Sequence, residues 1–413
     1  MPESTSTYET VFVARQPVFD TELRVWGYEL LYRDQPHAPR AEFSDEVNAI
    51  IKIMANVALC PDADFRPAKI MINFPAKALT NDIPRTFLPE RTVAGMQEYL
   101  APSKDLIEAV AKLRKDGYSI AVDKASPAPC APEFAGLLDI IAIDVSQEIG
   151  VAEALAAAAR NCPGGPALLA KKVESLALLD RARRLGCSLF QGFFFQEPTT
   201  ISSKKISSSE LVRLKLFDII EQQDPDFQAL AAAIESDVAL SYRLLTFLNS
   251  AAFAFTQKIT SIHQAVVLTG WRQLRGWLRL VLLTDMAPPA KTQELAFLSA
   301  QRAKFLELAG QDHGKTELAD TLFLLGLFSL LEPMLDAPMR EIVAYLPLAD
   351  ELKSALCQRQ GALAPWLALA ETIEKSRWDE VDAVMTSLGL DADKLAEAYH
   401  RSIEWTNTFF GSL

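Results

Sequence analysis

The chain has 413 residues, of which 50% are apolar and 23% charged, with 41 basic and 53 acidic side chains and a net charge of −12. At roughly 150 residues per domain, that length holds two or three domains with sizeable cores, and the composition excludes a wholly disordered or collagen-like chain. Neither half is basic. Residues 1–200 carry 21 basic and 26 acidic groups and residues 201–413 carry 20 and 27, so no general electrostatic grip on nucleic acid is expected.

Cys60, Cys130, Cys162, Cys187 and Cys357 are odd in number, widely spread and without a CxxC pair. A disulfide framework or zinc knuckle is therefore not expected, and a reducing compartment fits. The first ten residues, MPESTSTYET, are polar. The greasiest run, Leu322 to Leu331, is interrupted by Gly326 and Ser329 and closed by Glu332-Pro333. It falls short of the roughly 20 residues of a membrane span, so it reads as a buried core helix in a cytoplasmic protein.

Short β-rich runs come first: TVFVA (10–14), RVWGYELLY (24–32), KIMINF (69–74), SIAVD (119–123), DIIAID (139–144) and SLFQGFFF (188–195). Helix-period segments lie between some of them. One is expected from about Asp105 to Lys115, with Leu106, Val110 and Leu113 on one face and Gly117 as its stop. A second is expected from about Glu174 to Leu185, with Leu178 and Leu185 inward and Gly186 ending it. Strand–helix alternation with near-continuous apolar strands argues for an α/β barrel or a doubly wound sheet.

The polar stretch EPTTISSKKISSSE (197–210) breaks this pattern and reads as a linker. Beyond it helical periodicity dominates, with turn marks at Asp224-Pro225, Gly270, Pro288-Pro289, Gly310 and Pro347. The expected organisation is residues 1–197 as an α/β domain, 198–209 as a linker and 210–413 as an all-α domain.

Several polar residues fall at predicted strand ends: Glu29, Asn73, Asp123, Asp144 and Gln191. In an α/β barrel such ends converge on one mouth, and an oxygen-rich set of this kind could hold a hard divalent cation. The plainer alternative is that they are solvated or cap the next helix.

In order, the motifs ARQPVFD, GYELLYR, MINF, IAVDKA, DIIAID, AKKVE and LFQGFFF resemble those of EAL domains, barrel phosphodiesterases that cleave bacterial cyclic di-GMP. The resemblance covers about residues 10–197. The segments DPDFQALAAAIESDVALSYRLLTFLNSAAF (224–253) and ITSIHQAVVLTG (259–270) resemble an HDOD domain. Together they are similar to bacterial EAL–HDOD signalling proteins, which implies a barrel with one inverted strand followed by a helical bundle.

EAL chemistry uses two metal ions that clamp the phosphate and activate a water. By resemblance, Glu29 is the signature Glu, Arg33 a phosphate contact and Asn73 a metal ligand; Asp123 matches the first Asp of the DDF motif, Gln191 the Gln ahead of the last Gly and Gln16 the Gln of an early QP, and Glu98, Asp139, Asp144 and Glu174 are also kept. Other positions depart from it. A ligand Glu becomes Gly95, the second Asp of the DDF motif becomes Lys124, a family lysine becomes Ala142, and another ligand Glu becomes Lys171, followed by Lys172. ASPAPCAP (125–132) replaces the Gly-containing loop that follows. If all these changes lie at the mouth, its charge shifts by about five units, and unit charges 4 Å apart interact by about 4 kcal/mol at an effective dielectric of about 20. Metals are then repelled, and the barrel is expected to be no enzyme, with no metal or other cofactor. A milder alternative has Lys124 and Lys171 pairing with Glu29, Asp123 or Glu174 and tying the mouth together.

In the second half, GLFSLLE (326–332) carries Ser329 and Leu330 where HD hydrolases place His and Asp, and none of His37, His263, His313 or His400 is followed by Asp. A histidine metal site is not expected. WRQLRGWLRL (271–280) puts Arg272, Arg275 and Arg279 along one helix face beside Trp271 and Trp277. This is either a solvated face paired with local acids or a docking strip for an acidic protein partner.

The expected function is a non-enzymatic signalling adaptor with protein partners, no DNA or membrane contact and possible homodimerisation. One alternative is a receptor binding cyclic di-GMP weakly, without metal, through Gln16, Arg33 and Gln191. The other is an active cyclic di-GMP phosphodiesterase with an altered metal site.

Overall fold

The computed structural model describes residues 12–33, 69–98, 102–124, 131–196, 271–286, 289–346 and 348–411, with a few positions between them. The expected linker at 198–209 and nearly all of the two HDOD-like segments at 224–253 and 259–270 lie outside the described residues.

Eight strands close into a barrel in sequence order. They are β1 (Phe12–Phe19), β2 (Val25–Arg33), β3 (Lys69–Asn73), β4 (Thr92–Gln97), β5 (Ser119–Lys124), β6 (Ile140–Asp144), β7 (Ala167–Lys171) and β8 (Leu189–Gln191). The single inverted strand is β1, antiparallel to both β2 and β8, while every other pair is parallel. Antiparallel neighbours need only a tight turn. The Asp20 carboxylate supplies it by accepting from the Glu22 and Arg24 N–H groups, both at 2.9 Å.

Val18, Met71, Val93, Ala121, Ile140, Ala142, Leu169 and Leu189 form one buried cluster drawn from seven of the strands. A TIM-type interior is packed with side chains rather than hollow, so chemistry is confined to the mouth. Ala142 belongs to that core at 2% exposure.

The first predicted helix is α1 (Lys104–Lys115), capped by Ser103, whose hydroxyl accepts from Leu106 N–H at 3.2 Å. It buries Leu106, Ala109, Val110 and Leu113. Gly117 follows at φ 98°, a left-handed stop that glycine adopts without strain. Between β6 and β7 runs α2 (Ile149–Arg160), and α3 (Leu176–Arg184) is capped by Ser175. In α3 the buried face is Leu179 and Ala182, continued by Leu185, rather than Leu178. SLFQGFFF is not one strand either. β8 ends at Gln191, and Gly192 at φ 149° brings its backbone so near Val173 that a Cβ would lie 2.1 Å from the Val173 carbonyl oxygen. Phe194 and Phe195 then pack against Phe19, each with a centroid separation of 5.3 Å.

The described helices of the second half include α4 (Trp271–Met286), α5 (Pro289–Asp312), α6 (Ala319–Phe328), α7 (Ala364–Glu374), α8 (Trp378–Leu388) and α9 (Ala392–Gly411). Here α5 packs against α4, α6 and α9. Gly310, expected as a turn, lies inside α5. A Cβ there would meet Leu322 Cδ1 at 2.6 Å, and one on Gly326 would meet Ala303 N at 2.5 Å, so both glycines let α5 and α6 approach closely. By length and composition Thr316–Leu335 could cross a membrane, yet 72% of that window is buried inside the protein, as expected of a core segment. Cys162, Cys187 and Cys357 are unbridged, and burial pushes the Cys187 thiol up to about 12. In the division into two compact units, Thr372–Ala383 groups with the barrel rather than with the other C-terminal helices.

Candidate functional site

The parallel strands end together at one mouth, and β3, β5, β6, β7 and β8 deliver Asn73, Asp123, Asp144, Lys171 and Gln191 at or beside their last residues. Glu29, from β2, is 1% exposed, and three side chains converge on it. Its Oε1 accepts from Asn73 Nδ2 at 2.8 Å and from Lys171 Nζ at 2.9 Å, and its Oε2 accepts from Gln191 Nε2. A carboxylate out of water needs such a set of donors.

Lys171 is the centre of this arrangement. Beyond Glu29 its ammonium reaches both oxygens of Asp123, each at 3.1 Å. Burial alone would lower the Lys171 pKa, but the charges of Glu29 and Asp123 outweigh it and hold the amine protonated above its ordinary 10.5. Burial raises the Asp123 carboxyl above its ordinary 3.8, reinforced by Glu29 and opposed by Lys171. Two carboxylates against one ammonium leave this triad one net negative charge. It is open on one side only, with side-chain exposures of 38% for Asp123 and 19% for Lys171.

The other lysine behaves differently. Lys124, buried at 3%, donates to Glu98 Oε1 and to the Ala128 carbonyl, both at 2.7 Å, and Glu98 Oε2 accepts from Ser126 N–H at 2.7 Å. Successive strand residues point to opposite faces, so Asp123 and Lys124 cannot share partners. The expectation of two ammonium groups at the cation's place is corrected to one, Lys171, and Glu98 is the partner of Lys124. Asp144 also stays out of the triad, pairing with Lys172 at 2.8 Å and with Ser146 N–H and Oγ at 2.9 and 2.6 Å. Burial would raise the Asp144 pKa, but these contacts lower it overall. Glu174 is exposed, Gln16 lies opposite Glu29 in the β1–β2 pair, and the side chain of Arg33 lies outside the described residues.

The metal ions implied by the EAL resemblance can be tested against these contacts. The oxygens of Glu29 and Asp123 already surround an ammonium, and Glu98 and Asp144 are each bound to a lysine of their own. A Cβ on Gly95 would stand 2.3 Å from Asn73 Oδ1. Among the described residues no three His, Cys, Asp or Glu side chains gather to hold a metal. The residues present do not fit a two-metal centre.

In the helical half the arginine strip is not free surface. Arg279, 5% exposed, forks onto Glu221 at 2.6 Å through both Nε and Nη2, and Arg275 donates to the same carboxylate. The docking strip expected there is corrected for these two residues, since each guanidinium is used inside the fold; the side chain of Arg272 lies outside the described residues. Ser329, at the position of the HD histidine, accepts from Arg302 Nη1 at 2.7 Å and donates to the Gly326 carbonyl at 2.6 Å. His313 donates from Nδ1 to the Ala309 carbonyl at 2.8 Å and accepts Asp391 N–H at Nε2, also at 2.8 Å, which uses both ring nitrogens.

A closed barrel with a polar mouth, continued by a helical half, defines an EAL-type barrel protein with an appended helical domain. An HDOD domain model matches residues 207–331. The chain is 32% identical over 405 residues, 97% of its length and 93% of the relative's, to the cyclic di-GMP phosphodiesterase CdgJ of Vibrio cholerae serotype O1. It is 29% identical over 403 residues, 96% of its length and 98% of the relative's, to the uncharacterised protein YuxH of Bacillus subtilis. Solved structures with some likeness include the Bacillus subtilis YkuI protein with an EAL domain, in complex with cyclic di-GMP and calcium (18% identity, TM-score 0.38, 63% of this chain and 72% of that one). Another is a Klebsiella pneumoniae BlrP1 manganese complex (18% identity, TM-score 0.38, 47% and 58%). The chain belongs to the EAL–HDOD family of bacterial signalling proteins. The expectation that the barrel is no enzyme is overturned by the first relative, a phosphodiesterase aligned along nearly the whole chain.

Proposed function

We propose that this protein is a cyclic di-GMP phosphodiesterase working with an altered cation site. The observation that carries the reading is the similarity to the Vibrio cholerae phosphodiesterase over 97% of the chain. The mouth supports it by keeping Glu29, Asn73, Asp123 and Gln191 in one hydrogen-bonded group around a single positive charge.

Hydrolysis of the cyclic diester consumes one water. Its oxygen bonds to phosphorus, one P–O ester bond breaks, the leaving sugar oxygen ends protonated, and the ring opens to a linear dinucleotide. Charge builds on the phosphoryl oxygens, and a fixed cation there lowers the barrier. Lys171 is the group suited to that role. Asp123, partly exposed and with its carboxyl raised by burial, is suited to take the water's proton. Glu29 does not reach solvent and acts as a positioning residue for Lys171. Gln16 and Arg33 remain candidate contacts for the dinucleotide, and the HDOD half a candidate for recruiting protein partners in the cytoplasm.

The test is incubation of the full-length protein with cyclic di-GMP in buffers with Mg²⁺ and with a chelator, followed by chromatography. Linear dinucleotide above a no-enzyme control, lost in Asp123→Asn, is expected. No product in either buffer overturns the reading.

A further inference from the structure

We infer that Lys171 is a resident cation, so that recognition and cleavage of the cyclic dinucleotide phosphate at this mouth need no divalent metal. The inference rests on the phosphodiesterase reading for its ligand, and on the geometry of Glu29, Asp123 and Lys171 for its content.

The ammonium sits within 2.9–3.1 Å of oxygens from two carboxylates that descend from different strands, β2 and β5, and it comes from a third, β7. That is the position of a bridging cation. All three of those contacts are to carboxylate oxygens. A divalent ion entering here would have to displace a tethered charge, and the carboxylates that could have completed its shell are committed to Lys124 and Lys172.

The two arms of the triad are unequal, which gives the cation a way to act. Glu29, with a 1% exposed side chain held additionally by Asn73 and Gln191, anchors the ammonium from inside. The Asp123 side chain, 38% exposed, holds it from the solvent side through two bonds at 3.1 Å. A phosphoryl oxygen arriving from the mouth can take over one of those outer bonds while the inner anchor stays. The oxygen of Asp123 released in that exchange loses its ammonium partner and becomes the better proton acceptor for the attacking water. The incoming phosphate thereby frees the base. Ammonium is a point charge with rotatable donors, so the exchange needs no fixed coordination geometry.

The experiment compares full-length wild type, Lys171→Met and Lys171→Glu, each with cyclic di-GMP in EDTA and in Mg²⁺. Product is read by chromatography, ligand and Mg²⁺ binding by calorimetry, and folding by thermal unfolding. Wild type is expected to turn over in EDTA within about threefold of its rate in Mg²⁺. Lys171→Met is expected to lose about 100-fold in both buffers. Lys171→Glu is expected to gain Mg²⁺ binding that wild type lacks, which a merely structural lysine would not produce. A wild-type rate that falls more than tenfold in EDTA and returns with Mg²⁺ overturns the inference while leaving the phosphodiesterase reading intact. If wild type hydrolyses in neither buffer, that reading fails and calorimetry decides the cation. Cyclic di-GMP binding in EDTA that Lys171→Met loses upholds it; binding that requires Mg²⁺, or no binding, overturns it. The two wild-type arms keep the test decisive even if a variant fails to fold.

Discussion

The barrel mouth and the helical half each hold a compact ionic cluster, and the two are built in opposite senses. At the mouth two carboxylates share one ammonium; in the helical half two guanidinium groups, Arg275 and Arg279, share one carboxylate, Glu221. The decisive difference is access. Glu221 and Arg279 have side-chain exposures of 4% and 6%, with Arg275 at 23%, whereas Asp123 stands at 38%. A sealed cluster cannot trade partners without opening the fold, so its charges serve packing and register. An open one can exchange a bond with an arriving ligand, so its charges are available for chemistry. Surplus charge of the same magnitude is thus mostly sealed in one half and open to an arriving ligand in the other.

The strongest way to break this comparison is to strip the sealed cluster of its single carboxylate. Glu221→Ala leaves two guanidinium groups facing one another in a mostly dry site, and removing one member of a buried pair costs about 3–5 kcal/mol. Urea unfolding is expected to show a loss of that size, with cyclic di-GMP turnover per folded molecule unchanged. A change below about 1 kcal/mol would make the helical cluster as dispensable as a surface pair. Exchanging Arg272, Arg275 and Arg279 for Glu would therefore unfold the helical half rather than report on docking.

Next in size is Asn73→Ala, which removes one of the three donors on Glu29 but leaves Lys171 in place. A loss of one charge-assisted bond is worth about 1.5–3 kcal/mol. Turnover is expected to fall by about tenfold or more while Mg²⁺ remains without effect, measured by initial rates in both buffers.

The pH profile sharpens the assignment of the base. Asp123 must be ionised to accept a proton, and its folded pKa lies above 3.8, because burial and the Glu29 charge outweigh Lys171. The acid limb of the rate is therefore expected above the ordinary carboxylate value, read from initial rates across pH. Lys171 is held above 10.5, so no loss from its deprotonation is expected below that pH. The same sign governs stability: a raised carboxyl favours the folded state as pH falls toward its folded pKa, so Asp123 does not contribute to acid unfolding. Asp144, with a lowered pKa, does; its contribution is present above 3.8 and is lost as pH falls through its folded value.

The smallest effect belongs to Lys172. Its side chain is 65% exposed and pairs with Asp144 in solvent. Lys172→Ala is expected to cost less than about 1 kcal/mol and to leave turnover unchanged. That contrast with its neighbour Lys171 would show that position, and not lysine as such, makes the resident cation.

Much of this was legible before any coordinates, and the failures have local causes. The β-branched and aromatic runs marked six strands, and the period of the helices marked α1 and α3. TVAGMQ and ALLAK went unmarked as β4 and β7 because they are poor in such residues; their strand state comes from being paired on both sides inside the barrel. The pairing of Lys171 with Glu29 and Asp123 was among the readings open from sequence. The partner of Lys124 was missed although alternation along β5 excludes the mouth for one of two consecutive residues. Glu221 was out of reach, since nothing local to α4 reveals a carboxylate more than fifty residues earlier in the chain.

Gly95 limits which side chains the mouth can accept. A side chain restored there would drive its Cβ into the Asn73 amide, which would have to swing away and release Glu29. Glu29 would then lean harder on Lys171, the residue that a returning metal must evict. A side chain restored at position 95 alone is thus opposed by the contact between Asn73 and Glu29, and Asn73 would have to change with it. Position 95 thus works as a latch: with Asn73 seated against it, a larger side chain enters only if the amide that holds Glu29 is given up.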